Sequence, residues 1–574
     1  MSAYGNSSAV AVPPKIARNQ LQIFRSVVVI LVLLLLLLVL YPIGRMVLRS
    51  VYADQAWQFA AFFDVLSSDW LPGVVADTGI TVAVSGFCAL CIASLFAWIN
   101  ERTDASLGVF GNLIPLVPLL IPHVAIAIGW TFLLNEKVGF ISVALDNLLG
   151  SWLPAVSSIN IYSWGGLISL YTMFLVPYAY VIVASAFKNV DPALEEASRV
   201  SGGSMWRTAT KISLPSIAPA IIAAGLLLVI EGLSLYSAAV IIAPTAGIDI
   251  LSVRMVRMLT VTYPPDLAGS LVLGMMLMAV ILFIWVFQRK ALMGGNFAKV
   301  SGRARADSMV KLGALRWPAR MLILSYMMAA SILPLAALIL VSLQPYWTGT
   351  NIFANLSFQH YEALFWGGGS EIEALRNSVL IGVVGATMSM LVAAVLVIYI
   401  KSAKPVMSKV ADGVSKLPAA LPHVVIAIGF LLSFGAAPFH LSGTVMMLLM
   451  AYLVIYMPQA SIAASVAGGQ VGNDLTEASA ICGAGGGRTF FRISLPLMSP
   501  GLIAGWGLLF VLMAGELTAA SILANARAPV VGFVILEIFE SGSYGTLAAL
   551  ASVVSLLSAV VIVCVGSVFV RRTQ

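Results

Sequence analysis

Twelve apolar runs of about 20 residues constrain this chain most, because an α-helix of that length is needed to cross a bilayer. The runs lie near 27–44, 79–99, 113–134, 163–187, 217–242, 268–288, 320–343, 377–400, 417–436, 443–466, 498–523 and 546–570. Only 10% of the 574 residues are charged, whereas soluble domains carry about 25%. The sequence therefore predicts an all-α integral membrane protein with twelve transmembrane helices in a lipid bilayer.

Basic residues are distributed unevenly along the chain. With the N-terminus inside, the tails and the even-numbered connections hold 24 of the 31 Lys and Arg residues, and the opposite side holds 7. This positive-inside bias predicts that both termini are cytoplasmic. The net charge of +7 therefore reflects topology, and no nucleic-acid partner is predicted. The first apolar run lacks a small-residue cleavage site, which favours an uncleaved first span.

The two halves of the chain repeat each other. Residues 118–129 match 418–429 at 8 of 12 positions, and residues 194–215 match 475–496 at 11 of 22 positions. Because six spans lie in each half, both repeats run through the membrane in the same direction. The predicted domains are a cytoplasmic tail (1–26), a first six-helix domain (27–288), a basic cytoplasmic linker (289–319) and a second six-helix domain (320–570).

The longer repeated stretch carries a motif with fixed spacing; we name its copies the first signature segment (194–215) and the second signature segment (475–496). The copies share Glu196-Ala197-Ser198, Gly202 and Ile212-x-Leu214-Pro215 in the first, and Glu477-Ala478-Ser479, Gly483 and Ile493-x-Leu495-Pro496 in the second. Each copy predicts a short helix, a glycine turn and a second short segment that leads into the next span. The prolines suit the first turn of that span, and the glutamates are available to a basic docking protein.

This motif resembles the EAA loop of the permease subunits of ATP-binding-cassette (ABC) importers, which reads E-A-A, three residues, G, nine residues, I-x-L-P. Both copies match every fixed position except the second alanine, which is serine here. The resemblance implies a type I ABC importer permease fold, with both half-channels fused in one chain. It also implies that Glu196, Ala197, Gly202, Glu477, Ala478 and Gly483 belong to coupling helices seated on ATPase subunits. Gly485-Gly486-Gly487 in the second copy puts equal coupling of the two halves in doubt.

The resemblance further implies partners and a location. The chain has no G-x-x-x-x-G-K-[ST] nucleotide loop, so ATP is expected on a separate polypeptide and no cofactor in this chain. Two signature segments imply two ATPase copies, and the family implies a periplasmic substrate-binding protein and the bacterial inner membrane. Fused permeases of this kind look most like the ferric-iron type. Permeases for 2-aminoethylphosphonate, polyamines or thiamine are alternatives.

A few ionisable groups fall within the predicted spans. Glu231 and Glu516 are candidates for the substrate path, because carboxylates at membrane depth usually face a cavity or a partner. His123 and His423 follow prolines in both repeats. We favour a structural role for these histidines, at kinked helices where they satisfy freed backbone groups, over a substrate role. The Cys88-x-x-Cys91 pair has no second pair and predicts no metal site.

Two other classes compete with this interpretation. A secondary transporter can also have twelve spans in two parallel halves, and it would stop working when the proton gradient collapses. A membrane enzyme would need catalytic groups clustered at one membrane face, which the four histidines do not provide. The sequence favours a non-enzymatic importer permease.

Overall fold

The computed structural model describes residues 15–53, 56–57, 59–149, 159–294, 309–402, 404–482 and 484–573. In these ranges the chain is almost wholly helical. Two-residue strands at Tyr52–Ala53 and Ala56–Trp57 form a small antiparallel hairpin. The predicted N-terminal tail lies partly outside the described residues, and the first helix already begins at Lys15.

The helices of the described residues are distributed over both halves of the chain. In the first half, α-helices span Lys15–Val51, Ala60–Leu66, Leu71–Arg102, Val109–Leu113, His123–Leu134, Phe140–Leu149, Trp164–Asn189, Pro192–Val200, Met205–Thr208, Leu214–Ser216, Ala218–Ser234, Ser237–Ala246, Leu251–Thr260 and Leu267–Gly294. In the second half they span Arg316–Met327, Leu333–Leu343, Gln359–Trp366, Ser370–Ser402, Pro405–Lys416, His423–Phe434, Val445–Ile455, Met457–Gly468, Asn473–Ile481, Gly486–Thr489, Leu495–Ala514, Ala520–Leu523, Val531–Ser541 and Tyr544–Thr573. Short 3₁₀ turns (Ile114–Leu120, Gly313–Leu315, Leu417–Ala420) and π turns (Ala209–Ser213, Met328–Ile332, Phe490–Ser494) join some of them.

Eight helical stretches in the described residues are long and apolar enough to cross a membrane, and the number rises to 13 if each of five bent helix pairs is one span. The predicted runs near 79–99, 163–187 and 377–400 each lie inside one continuous helix. The predicted runs near 113–134 and 417–436 are instead broken, with bends of 89° and 101°. The chain is thus a polytopic helical membrane protein.

Two apolar runs that the sequence predicts as continuous, near 217–242 and 498–523, stop part-way. Their helices end at Ser234 and Ala514. Hydropathy does not mark these ends because apolar residues follow them. At the second of these ends, the backbone at Gly515 lies very close to Pro122, which stands at the break in the first-half run near 113–134. A Cβ on Gly515 would lie 2.8 Å from Pro122, so only glycine fits at this position.

The two halves exchange their first helices. Val28, Leu35 and Val39 of the first helix are buried in a core made mainly by second-half residues. Reciprocally, Ile323 and Tyr326 are buried in a first-half core. Each half thus supplies part of the core of the other.

Small residues make this exchange possible. A Cβ on Gly129 would overlap Pro334, and a Cβ on Gly429 would lie 3.1 Å from Pro42. Gly129 and Gly429 lie in the broken runs near 113–134 and 417–436, and each glycine lets its run contact the first helix of the opposite half.

The end of the linker is fixed to the first half. Val310 bridges Thr103 in a parallel arrangement, and the Leu312 N–H donates to the Asp104 carboxylate at 3.0 Å. The Arg320 side chain donates to the Ala105 carbonyl at 3.1 Å. These contacts anchor the start of the second half beside the C-terminal end of the helix Leu71–Arg102.

Candidate functional site

The first signature segment folds as a helix, a turn and a second helix that runs into the membrane. Its helix Pro192–Val200 is followed by a turn at Gly202, whose φ is 79°, a conformation that glycine adopts without strain. The Gly203 N–H donates to the Ser198 carbonyl at 2.8 Å and closes the turn. The glycine turn predicted from the sequence is confirmed here.

The second signature segment repeats this geometry. The helix Asn473–Ile481 is followed by a turn in which the Ala484 N–H donates to the Ser479 carbonyl at 3.0 Å. Gly483 itself lies outside the described residues. Both segments then pass through a π turn, at Ala209–Ser213 and Phe490–Ser494, before the next helix.

The serines that depart from the family motif have a structural role. The Ser198 hydroxyl lies 2.8 Å from the Thr208 hydroxyl, and Ser479 lies 2.8 Å from Thr489. Each pair ties the two short helices of its segment together. The sequence contains the signal for this contact, a Ser and a Thr ten residues apart in both copies, although the motif alone does not reveal it.

The remaining signature residues lie mostly on the surface. Glu196, Ala197, Gly202, Leu214, Pro215, Glu477, Ala478 and Pro496 are exposed, while Ile212, Ile493 and Leu495 are half-buried. Pro496 stands in the first turn of the span Leu495–Ala514, as predicted. Pro215 instead lies in the three-residue helix Leu214–Ser216, and the next span, Ala218–Ser234, begins after a bend of 69°.

Large apolar side chains are also exposed at equivalent positions of the two segments. Val200 is 89% exposed and Ile481 is 87% exposed; Leu194 and Leu475 are 51% and 48% exposed. Exposed apolar groups at equivalent positions of two repeated segments are typical of a docking surface.

A buried ionic network fixes the first signature segment to the membrane helices. Arg102 lies 3.7 Å from the carboxylate of Glu195, which accepts a hydrogen bond from the Ser213 hydroxyl at 2.7 Å. Arg102 also donates to the carbonyls of Phe187 and Val190, at 2.5 and 2.9 Å. These groups connect three elements: the end of helix Leu71–Arg102, the end of helix Trp164–Asn189 and the segment itself. Sequence reasoning missed Glu195, because it chose the neighbouring exposed Glu196.

The second signature segment has only part of this network. Lys401 donates to the carbonyls of Gly468 and Val471, at 2.5 and 3.3 Å, which are the counterparts of Phe187 and Val190. Thr476 occupies the position of Glu195. The buried Ser494 hydroxyl, the counterpart of Ser213, has no hydrogen-bond partner among the described residues.

The four ionisable residues predicted within the spans come together at a cavity between the two halves. The cavity has a volume of about 140 Å³. Its polar lining consists of His123, Tyr178, Glu231, Ser234, Tyr236, Ser237, His423, Tyr456, Gln459, Glu516 and Thr518. All of these residues except Tyr178, which lies in the middle of the helix Trp164–Asn189, are at or near a helix end or break, and irregular backbone at membrane depth is tolerated where it lines a cavity.

Glu516 is the most strongly held of these groups. It is 7% exposed, and its carboxylate accepts hydrogen bonds from the Tyr456 hydroxyl and from the Ala519 N–H. The His423 ring lies 3.7 Å from the same carboxylate. The histidine thus faces a carboxylate, and in the described part of the chain its ring makes no hydrogen bond to the backbone groups freed by proline.

His123 and Glu231 have fewer polar contacts. His123 packs against the ring of Phe174, with the centroids 4.6 Å apart. In the described part of the chain, neither residue has a hydrogen bond or a salt bridge to a side chain or to the backbone. The carboxylate of Glu231 is therefore not hydrogen-bonded there, although the ring of His423 interacts with it electrostatically.

A comparison with known protein families identifies the family of this chain. The sequence matches the family described as "Binding-protein-dependent transport system inner membrane component" twice, over residues 89–291 and 385–573. The chain belongs to this family. The two matches confirm the fused, duplicated organisation, and they include both signature segments and the four cavity residues.

Relatives of the permease are themselves transport proteins. The permease is 22% identical over 548 residues to the ferric transport system permease protein FbpB of Actinobacillus pleuropneumoniae, and the alignment covers 93% of this chain and 77% of that one. It is also 22% identical to a putative ferric transport system permease protein, FbpB 1, of Haemophilus influenzae, covering 85% and 76%. A putative 2-aminoethylphosphonate transport system permease protein, PhnV, of Salmonella paratyphi A is 24% identical over 38% of this chain and 82% of its own.

One solved structure is also similar, a bacterial ABC transporter involved in the import of alginate. The match covers 48% of the permease and 99% of that chain, at 17% identity with a TM-score of 0.37. The family and the relatives show that the protein is an ABC importer permease of the inner membrane, and not an enzyme. Such permeases work with an ATPase and with a substrate-binding protein.

Proposed function

We propose that the permease couples import to two ATPase subunits, each docked on one signature segment, and that ATP is bound only by those subunits. The observation that carries this proposal is the repeated apolar surface of Val200 and Leu194 in one segment and Ile481 and Leu475 in the other. Each patch lies beside an exposed glutamate, Glu196 or Glu477, that can pair with a basic residue of the partner. Two equivalent surfaces favour two copies of one partner.

We further propose twelve spans with both termini in the cytoplasm. Of the bent pairs, Ser237–Ala246 with Leu251–Thr260 has ten residues in each arm. Each arm is about 15 Å long, half the thickness of the hydrocarbon core. This pair is better described as re-entrant, which leaves twelve spans. The excess of Lys and Arg on the side of the signature segments supports the orientation.

The proposed cargo is ferric iron, delivered by a periplasmic binding protein. Two relatives that align with most of this chain are named as ferric transport permeases. The relative named for 2-aminoethylphosphonate aligns with 38% of the chain, and it supports that compound as the alternative. Polyamines and thiamine remain candidates from the sequence resemblance.

Docking can be tested by co-purification of the ATPase. Val200→Glu together with Ile481→Glu should abolish co-elution of the ATPase, because two charges would be buried in apolar contacts. Trp366→Glu is a matched control, since Trp366 is 87% exposed and lies far from both segments in the sequence, on the predicted outer side. If the double variant retained the ATPase, the docking proposal would be wrong.

The cargo can be tested in proteoliposomes that contain the permease, the ATPase and the cognate binding protein. We expect ATP-dependent uptake of ⁵⁵Fe³⁺ from the loaded binding protein. Uptake of radiolabelled 2-aminoethylphosphonate in its place would show that the alternative cargo is correct.

A further inference from the structure

Two helical hairpins connect spans on the side of the membrane opposite the signature segments. We name them the first outer hairpin (Ser237–Ala246 with Leu251–Thr260) and the second outer hairpin (Ala520–Leu523 with Val531–Ser541). Each hairpin follows a span that begins next to a signature segment, so the hairpin lies at the far end of that span.

The outer hairpins cover the cavity between the two halves. Residues 235–237, at the start of the first hairpin, line this cavity together with residues 517–518, just before the second. Apolar residues of both hairpins are buried in one core. The helices Leu251–Thr260 and Ala520–Leu523 also contact each other across the halves. The two hairpins thus meet on the outer side of the cavity.

Each outer hairpin is held by a hydroxyl group of a long helix. We name these helices the first connecting helix (Leu71–Arg102) and the second connecting helix (Ser370–Ser402). The Thr78 hydroxyl accepts a hydrogen bond from the Leu251 N–H at 2.9 Å, and the Ser378 hydroxyl accepts one from the Val531 N–H at 2.8 Å. Thr78 and Ser378 are each 4% exposed. Leu251 and Val531 begin their helices, and such N–H groups have no partner within the helix. The hydroxyls therefore cap the hairpin helices from another element.

A second contact beside each hydroxyl has opposite chemistry in the two halves. The Asp77 carboxylate accepts a hydrogen bond from the Asp249 N–H at 3.0 Å. The Asn377 amide instead donates to the Pro529 carbonyl at 2.9 Å. Asp77 and Asn377 are 300 positions apart, the same offset as in the repeat at 118–129. The connection between helix and hairpin is thus present in both halves although the residues that make it differ.

The other end of each connecting helix is fixed beside a signature segment. Arg102 lies 3.7 Å from Glu195 of the first segment, and Lys401 donates to two carbonyls that precede the second segment. Thr78 and Arg102 are 24 residues apart in one continuous helix, a distance of about 36 Å at 1.5 Å per residue. Each connecting helix therefore joins a signature segment to an outer hairpin through a single rigid element.

From these contacts we infer that the connecting helices carry movements of the signature segments to the outer hairpins, and that Thr78 and Ser378 are the positioning residues that attach the hairpins. This inference rests on the proposed function, because the docked ATPases supply the movement. A hairpin that is attached moves with its connecting helix, so the cavity opens outward when the helix shifts. A hairpin without its hydroxyl contact moves independently, so it closes the cavity less completely at rest and responds less to the ATPase.

The test measures how fast a cysteine in the cavity reacts from the outside. Ser234→Cys, at the end of the span before the first outer hairpin, is the reporter, and the four native cysteines are replaced by alanine. Spheroplasts that contain the permease and its ATPase are treated with a cationic, membrane-impermeant methanethiosulfonate. Labelling is compared between a resting state without binding protein and an ATP-bound state, in which the ATPase is hydrolysis-deficient and the binding protein is added back.

Thr78→Val together with Ser378→Ala removes both hydroxyls with little change in side-chain shape. Labelling at rest should rise about fivefold or more, because each lost hydrogen bond shifts an equilibrium by roughly that factor. The ratio of ATP-bound to resting labelling should fall toward one. Thr78→Ser together with Ser378→Thr keeps both hydroxyls and should restore the native values in both states.

Ser85→Ala together with Ser389→Ala is the matched control. Both hydroxyls are buried in the connecting helices, and in the described part of the chain neither bonds to an outer hairpin. This control should label like the native permease. Co-purification of the ATPase shows that each variant is folded.

Three results would overturn the inference. They are native labelling of Thr78→Val with Ser378→Ala, an equal rise in the matched control, and a rise at rest with an unchanged ratio of ATP-bound to resting labelling. Labelling at rest requires neither docking nor cargo. Failure of the docking proposal, seen as retained ATPase in Val200→Glu with Ile481→Glu, is therefore a separate result.

Discussion

The two signature segments have the same backbone but different anchors. Both have a helix, a turn closed by a 6→1 hydrogen bond, a Ser–Thr contact and a π turn. Only the first has a buried acid, Glu195, which joins Arg102 to Ser213. The second has a threonine at that position and three successive glycines at 485–487.

This difference shows that one set of residues determines the shape of a signature segment and another determines how rigidly the segment is attached to the membrane helices. The shared residues determine the turn and the exposed surface, so both segments can present the same face to a partner. The buried network determines how firmly each segment is joined to the membrane helices. We expect movements of the first segment to be passed on to the membrane helices more completely than movements of the second, because the first is attached more rigidly.

The largest effect should come from reversing the charge of the exposed glutamates. Glu196→Lys together with Glu477→Lys places two cations where the docking partner is expected to be basic, and juxtaposed like charges cost several kcal/mol. Because both positions are exposed, folding should be unaffected. Transport per ATP hydrolysed, measured in proteoliposomes, should fall at least tenfold.

The corresponding single variants sharpen the comparison. If the first segment is the stiffer one, Glu196→Lys alone should reduce transport more than Glu477→Lys alone. Normal transport by the double variant would contradict the coupling role of both segments.

The next effect concerns the cations that anchor each segment. Arg102→Ala removes hydrogen bonds to two carbonyls and leaves Glu195 buried without its ion pair, which should cost about 3 kcal/mol or more. Lys401→Ala removes similar carbonyl contacts but leaves no buried acid, and it should cost about 1 kcal/mol. The free energy of unfolding in a detergent titration measures both.

Glu195→Gln together with Arg102→Met provides the control for this pair. Removing both charges at once should restore part of the stability lost in Arg102→Ala. Equal losses for Arg102→Ala and Lys401→Ala would show that Glu195 adds nothing to the first anchor.

The sequence predicted the local parts of this site because they depend on residues close together in the chain. The spacing from Glu196 to Gly202 sufficed to predict the helix and the turn, whereas the next span begins three residues after Pro215, at Ala218. Similarly, the prolines at 122 and 422 indicated interrupted helices, although the structure shows breaks of 89° and 101° and not kinks.

The parts that the sequence did not predict depend on contacts between distant residues. Arg102 and Glu195 are separated by 93 positions, the exchange of first helices joins opposite halves, and nothing in either sequence stretch marks these contacts. Hydropathy could not locate the helix ends at Ser234 and Ala514, because Leu235 and Leu517 continue the apolar pattern. The cavity could be suspected from Glu231 and Glu516, but its assembly required the fold.

A smaller effect, equal in the two halves, is expected from the Ser–Thr contacts. Ser198→Ala and Ser479→Ala each remove one hydroxyl–hydroxyl bond of 2.8 Å, worth about 1 kcal/mol. Hydrogen exchange of the short helices should accelerate to the same extent in both segments. A much larger change in one of them would show that the shared geometry conceals a difference in this contact too.

The smallest effect should come from stiffening the second segment. Gly487 lies in the helix Gly486–Thr489, and a Cβ there would meet nothing within 4 Å. Gly487→Ala should therefore stabilise that helix by about 0.5–1 kcal/mol, through lower entropy of the unfolded chain and better helix propensity. Gly202→Ala in the first segment should have the opposite sign, because its φ of 79° strains any side chain.

If flexibility of the second segment limits coupling, Gly487→Ala should raise transport per ATP and narrow the difference between Glu196→Lys and Glu477→Lys. A stabilised segment with no change in that difference would mean that the asymmetry comes from the Glu195 network and not from the glycines.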